Sequence, residues 1–148
     1  MSETVNPELR LPEGTTTVRW GELYGSSPAY FLAEAAATAR VPLIVVAGSG
    51  REAEQYLAEI RFFAGGAFRL WSFPDRETLP YDPFSPHPDI VSERLATLAA
   101  LPGLERGVVV TTQAALLDRL APQSFIAAHA FALAADVPPL SRKLAKRY

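Results

Sequence analysis

Apolar and polar positions follow two different periods along this chain. Three short apolar-rich runs, Leu43–Ala47, Phe68–Phe73 and Gly107–Thr111, are separated by stretches in which apolar residues recur at helical spacing. A β-branched run without polar alternation, such as Leu43–Ala47, is the pattern of a strand buried on both faces of a parallel sheet. Helical spacing between such runs predicts crossover helices on both faces of that sheet.

The first helix is expected to open at Gly25-Ser26-Ser27-Pro28, with serine as N-cap and Pro28 at the first helical position. Its alanine-rich body runs to Arg40, with Tyr30, Ala33, Ala36 and Ala37 on one side, and Pro42 breaks it. A second helix follows the turn Gly48-Ser49-Gly50, carries Ala53, Leu57, Ile60 and Phe63 at helical spacing, and stops at Gly65-Gly66. A third is predicted from Asp89 as N-cap, with Ile90, Leu95, Leu98 and Leu101 facing inward and Pro102-Gly103 closing it. Gln113–Leu120 reads as a short helix and Ala128–Ala135 as a strand. Leu140–Tyr148 reads as a basic helical stub bearing Arg142, Lys143, Lys146 and Arg147, most simply a solvated face. Two readings stay open for Val18–Tyr24, a strand or an approach segment.

The expected fold class is therefore α/β, a three-layer arrangement around a parallel sheet. Residues 1–17 read as a flexible leader, 18–124 as one α/β domain, and 125–148 as the start of a following small domain in a truncated chain.

Composition narrows the classes. At 148 residues with an apolar share of 49%, the chain has enough material for one core. A net charge of −2 supplies no basic field, so tight autonomous binding to DNA phosphates is not indicated. The absence of cysteine removes disulfides, thiolate catalysis and cysteine-based zinc sites, which fits a reducing cytoplasm, the expected location. No apolar run approaches a membrane-spanning length, and no membrane partner is expected.

Nucleotide binding is the first chemistry to test in such a chain. A phosphate loop needs glycines whose N–H groups cradle phosphate, a lysine for the β/γ-phosphates and a Ser/Thr hydroxyl for Mg²⁺. Gly25, Ser26 and Ser27 lead into the first helix but lack the lysine, and Pro28 removes a donor. Gly48-Ser49-Gly50-Arg51 follows a strand and opens a helix, yet lacks the spacing and the Lys-Ser/Thr pair. Both read as tight turns into helices, and no cofactor is expected here. Asp82, His87 and Asp89 contain metal-ligating groups, but in one loop with no second cluster, so no metal site is expected. Asp75, Glu77, Asp82 and Glu93 supply carboxylates without a recognisable acid/base partner or nucleophile. His129 sits in an apolar context on the expected strand and reads as structural. No catalytic residue is assigned.

The most distinctive stretch is Trp71–Leu98, WSFPDRETLPYDPFSPHPDIVSERLATL. Pro80, Pro83, Pro86 and Pro88 fix φ repeatedly and remove backbone donors, so the loop is expected to be stiff and extended. Tyr81, Asp82, Phe84, His87 and Arg94 are crowded into it, and rigid loops with aromatic and charged groups are common interaction surfaces. Two readings of Tyr81 and Phe84 stay open: a cap packed on the carboxyl edge of the sheet, or a face presented to a partner. Arg94 is expected to pair with Asp89 or Asp82 and hold the loop's exit.

The run ETLPYDPFSPHPDIVSERLATL resembles the hallmark segment of the bacterial transcription-repair coupling factors (the Mfd family), in their N-terminal module similar to the excision-repair protein UvrB. The likeness extends from about Trp20 to about Phe125 and includes RFFAG at Arg61–Gly65, RGVVVTT at Arg106–Thr112 and LAPQSF at Leu120–Phe125. Arg76 stands where the family usually has tryptophan. The resemblance implies a degenerate half of a RecA-like helicase core without a functional phosphate loop. It further implies a piece that helps recruit UvrA and restrains an ATP-driven translocase through interdomain contacts. ATP and Mg, RNA polymerase and DNA would belong to the full-length protein, whose motor and polymerase-binding module lie elsewhere. The family's UvrA-contacting residues lie mostly past Tyr148, so none is assigned. Two alternatives stay beside it: a small nucleotide-binding α/β enzyme using Gly48–Arg51, and a freestanding UvrB-like DNA-binding module. The connection Pro74–Pro88 is too short for UvrB's aromatic hairpin, which weighs against the second.

Overall fold

A computed structural model of the chain describes residue 14, residues 16–78 and residues 85–129. In chain order the elements are α1 (Ser27–Thr38), β1 (Leu43–Ala47), α2 (Gly50–Ala64), β2 (Leu70–Phe73), α3 (Pro88–Ala100), a 3-10 turn (Leu101–Gly103), β3 (Val108–Thr112), α4 (Gln113–Leu117) and α5 (Gln123–His129). The strands form one parallel sheet in the order β1-β3-β2. Leu43 and Leu70 both align with Val108, one from each side. The α/β reading with a parallel sheet stands.

Side chains alternate across β3 and so serve two cores. Val108 and Val110 join Val45 and Ala47 beneath α1 and α2, with Ala29, Ala33, Ala36, Ala53 and Ile60. The small alanines let α1 pack closely on α2, and Ile60 has no exposed surface. On the opposite face Val109 and Phe73 pack with Ala115, Trp71, Leu98 and Leu104.

Local chemistry fixes the ends of α2. Ser49 accepts from Glu52 N at 3.2 Å at the N-terminus, and Gly65 closes the helix in the left-handed region at φ 54°. Gly107 leads into β3 at φ 134°, where a Cβ would lie 2.4 Å from the Arg69 carbonyl oxygen.

Several expectations are corrected. β1 is not buried on both faces: Ile44 is 63% and Val46 49% exposed. β1 lies at the sheet's edge, and the helices of that face cover β2 and β3 instead. Residues 16–24 form an approach without a strand. On α1, Tyr30 and Ala37 are not buried, while Ala29 and Ala35 are. Helix α3 begins at Pro88 with His87 as N-cap, Nδ1 accepting from Asp89 N at 3.3 Å, so Asp89 lies inside the first turn. Its buried residues are Arg94 and Thr97, whereas Leu95 and Leu101 are exposed. α4 ends at Leu117, before the expected Leu120. Ala128 and His129 close a helix, α5, and are not strand. The remainder of the expected strand and the basic stub at 140–148 lie outside the described residues, as does most of the leader.

Candidate functional site

Two turns occupy the positions where a related nucleotide-binding domain would hold phosphate, and both are satisfied by the chain itself. At the entry to α1, Ser27 N and Ser27 Oγ both donate to the Tyr24 carbonyl, at 3.2 and 2.7 Å. Ser26 is the N-cap but makes no side-chain capping bond, and Pro28 supplies no amide to a ligand. The small space in front of Gly25 and Pro28 is walled by Glu52, Gln55, Tyr56 and Glu59, two carboxylates and no cation. The same carboxylates, after burial itself, push the Tyr56 phenol up from its ordinary value.

At the second turn, Glu52 folds back so that Oε2 accepts from Gly48 N at 2.8 Å. With Ser49 Oγ on Glu52 N, this makes a reciprocal cap related to the capping box. The amide that would face an anion already faces an internal carboxylate. A phosphate here would have to displace Glu52 and then meet its charge.

The proline loop is the other candidate surface. Tyr81, Asp82 and Phe84 lie outside the described residues. His87 is exposed at the start of α3, with its Nδ1 3.4 Å from Asp89 Oδ2. No group of three potential metal ligands occurs among the described residues.

Arg94 sits two turns further along α3 and is buried, so it does not share a surface with His87. Nor does it pair with Asp89. Its guanidinium donates to the Pro74 carbonyl and to Asp118 Oδ2 at 2.9 Å, and lies 4.1 Å from the centroid of the Phe73 ring. Arg76 Nε reaches the same Asp118 oxygen at 3.3 Å. Burial pulls the Arg94 pKa down, Asp118 opposes this, and Arg76 adds to the lowering. Arg94 thus ties the exit of β2 to the segment after α4, a positioning role within the fold. Asp118 and Thr97, whose Oγ1 donates to the Ser72 carbonyl, are the partners that sequence reasoning missed. Arg76, noted only as a departure from the family's tryptophan, belongs to this network.

Together these features define a parallel α/β domain whose turns at Gly25 and Gly48 are held by the chain's own hydrogen bonds. No protein-family profile matches the chain. Curated relatives do: it is 39% identical over 113 residues to the transcription-repair-coupling factor of Escherichia coli (strain K12), covering 76% of this chain and 10% of that protein. The protein of the same name from Mycobacterium tuberculosis is 38% identical over 108 residues, 68% of this chain and 9% of the relative. That of Myxococcus xanthus is 32% identical over 139 residues, 87% and 12% respectively. By sequence, the chain belongs with the transcription-repair-coupling factors, as a segment homologous to part of them. It spans about a tenth of the length of the curated relatives it matches.

Proposed function

We propose that this chain is the UvrB-like N-terminal part of a transcription-repair-coupling factor. In this reading it serves nucleotide-excision repair by helping to recruit UvrA and by restraining the ATP-driven translocase through interdomain contacts. RNA polymerase and DNA are then engaged by the full-length protein, and ATP and Mg by its motor. The boundaries 18–124 for the UvrB-like domain and 125–148 for the start of the next belong to the same proposal, as does a cytoplasmic location. Among the described residues no helix is long and apolar enough to cross a membrane.

The observation that carries the reading is the 39% identity over 76% of the chain to a protein of that name. The geometry supports a non-catalytic role: Glu52 holds Gly48 N, and Glu52 and Glu59 face the turn at Gly25.

Two measurements test it. Substituting this chain for the matching stretch of the Escherichia coli relative should preserve UvrA retention and strand-specific repair. Loss of both, in a chimaera that still folds and hydrolyses ATP, rejects the assignment. Calorimetry of Mg-ATP into the isolated chain should show no binding at micromolar concentration. Stoichiometric binding there rejects the non-catalytic reading and restores the enzyme alternative.

A further inference from the structure

Of the residues that α3 was expected to turn towards the core, Leu95 and Leu101 are exposed, while Leu98 is only partly buried against the Phe73 cluster. The sheet side of the helix carries Arg94 and Thr97, whose polar atoms are bonded to the backbone at Pro74 and Ser72. Rotating the helix to satisfy them displaces Val91, Leu95 and Leu98 sideways, and Val91 and Leu95 each remain 41% exposed. These three residues line one side of a cavity of about 310 Å³, with Leu120 and Ile126 opposite. A second hollow of about 370 Å³ shares Leu98, Leu120 and Ile126 and continues past Leu101. The two form one groove along α3. Its stripe has the four-then-three spacing that receives the side chains of a packed helix.

The charge at its mouth is one-sided. Arg76, Arg94 and Arg119 line the groove, and among the described residues no acidic one does. Asp118 is shared between Arg76 and Arg94, so one carboxylate stands against three guanidiniums. Asp75, the other acid near Arg94, accepts from Glu77 N at 3.1 Å. Arg119 has no ion-pair partner among the described residues.

From this combination we infer that the groove between α3 and α5 docks an acidic amphipathic helix of a partner protein. Its apolar face lies on Val91, Leu95 and Leu120, and its carboxylates meet Arg76 and Arg119. An apolar floor suits side chains rather than nucleotide phosphates, and a basic rim selects against basic segments. The chain's own residues 130–148 are a poor occupant, since Arg142, Lys143, Lys146 and Arg147 outweigh the single acid Asp136. The inference is independent of the repair assignment, because it uses only the shape and charge of this surface.

The test is a display selection of random helical peptides on the immobilised chain, with Arg119→Glu and Leu95→Ser variants as counter-targets. Both substitutions are at exposed positions, and circular dichroism checks that each variant folds. The expected winners carry apolar residues at helical spacing and net negative charge. Their affinity should fall at least tenfold on Arg119→Glu and on Leu95→Ser, and amide shifts on binding should map to α3 and α5. Winners that are basic, or that bind both variants as well as the parent, overturn the proposal. So does a failure to enrich any sequence, which means that the chain fills its own groove. A duplex DNA that binds the parent at physiological salt and loses affinity in the same variants also overturns it, making the groove a nucleic-acid site.

Discussion

Asp118 holds Arg94 at 2.9 Å, joining the end of α4 to the middle of α3 across 24 residues of sequence. The arginine side chain is 7% exposed and the aspartate 32%, so the pair is screened on one side only. Removing one partner of a fully buried pair costs about 3–5 kcal/mol. With the carboxylate partly wet, Asp118→Ala is expected to cost about 2 kcal/mol. Arg94→Met should cost less than Arg94→Ala, because an apolar chain of similar length keeps the contact with Phe73. Urea unfolding of the variants checks this, and an unchanged midpoint for Asp118→Ala shows the pair to be idle.

A backbone prediction follows at the entry to β3. Gly107 has φ 134°, and an added Cβ would meet the Arg69 carbonyl oxygen at 2.4 Å. That carbonyl accepts the hydrogen bond from Val108 N, so moving it disturbs the ladder. Gly107→Ala should cost on the order of 3 kcal/mol, combining strain with a displaced ladder bond. Gly65→Ala is the control, with φ 54° but nothing within 4 Å of the new carbon, and should cost about 1 kcal/mol. Equal losses at the two positions would mean that backbone conformation, not the close approach, governs both.

Thr97 tests the unexpected polar face of α3. Its residue is 1% exposed and its hydroxyl donates to the Ser72 carbonyl on β2. Thr97→Val keeps the shape and removes the donor, so it should cost about 1–2 kcal/mol in thermal or urea melts. Thr97→Ser, which keeps the donor and loses a methyl group, should cost about 1 kcal/mol through lost burial. A more stable valine variant would show the hydroxyl bond to be a burden.

The contrast between α2 and α3 explains what the sequence makes legible. In α2, Ser49 and Glu52 cap one end within a single turn and Gly65 stops the other through its own backbone, so the cap and the stop are local and readable. In α3, the inward face depends on Arg94 finding Asp118 and Thr97 finding Ser72, more than twenty residues away. Periodicity alone then favours Leu95 over Arg94 for the core, and the wrong side of the helix is chosen. Exposure of Ile44 and Val46 is hidden for a related reason. Strand order decides which strand is an edge, and β3 enters between β1 and β2 only after both have been made. Among the candidate site residues, the surroundings of Arg94 show the same limit, because its bonds to Pro74 and Asp118 are long-range.

Tyr56 makes the surroundings of the turn at Gly25 readable by pH. Burial first, and then Glu52 and Glu59, hold its phenol above its ordinary value of 10.0. Above that pH the unfolded chain releases this proton while the folded chain keeps it, so the unfolded state binds fewer protons and stability falls as pH rises. The contribution is intact below pH 10.0 and is lost as pH climbs through the folded value. Tyr56→Phe should remove that alkaline component and leave stability at neutral pH little changed. Glu52→Gln should move the tyrosinate absorbance transition only part of the way back, because burial is the larger cause. It should also weaken the start of α2, where the carboxylate holds Gly48 N. An alkaline melting profile identical in parent and Tyr56→Phe would show that neither burial nor the two carboxylates perturbs this phenol in the folded chain.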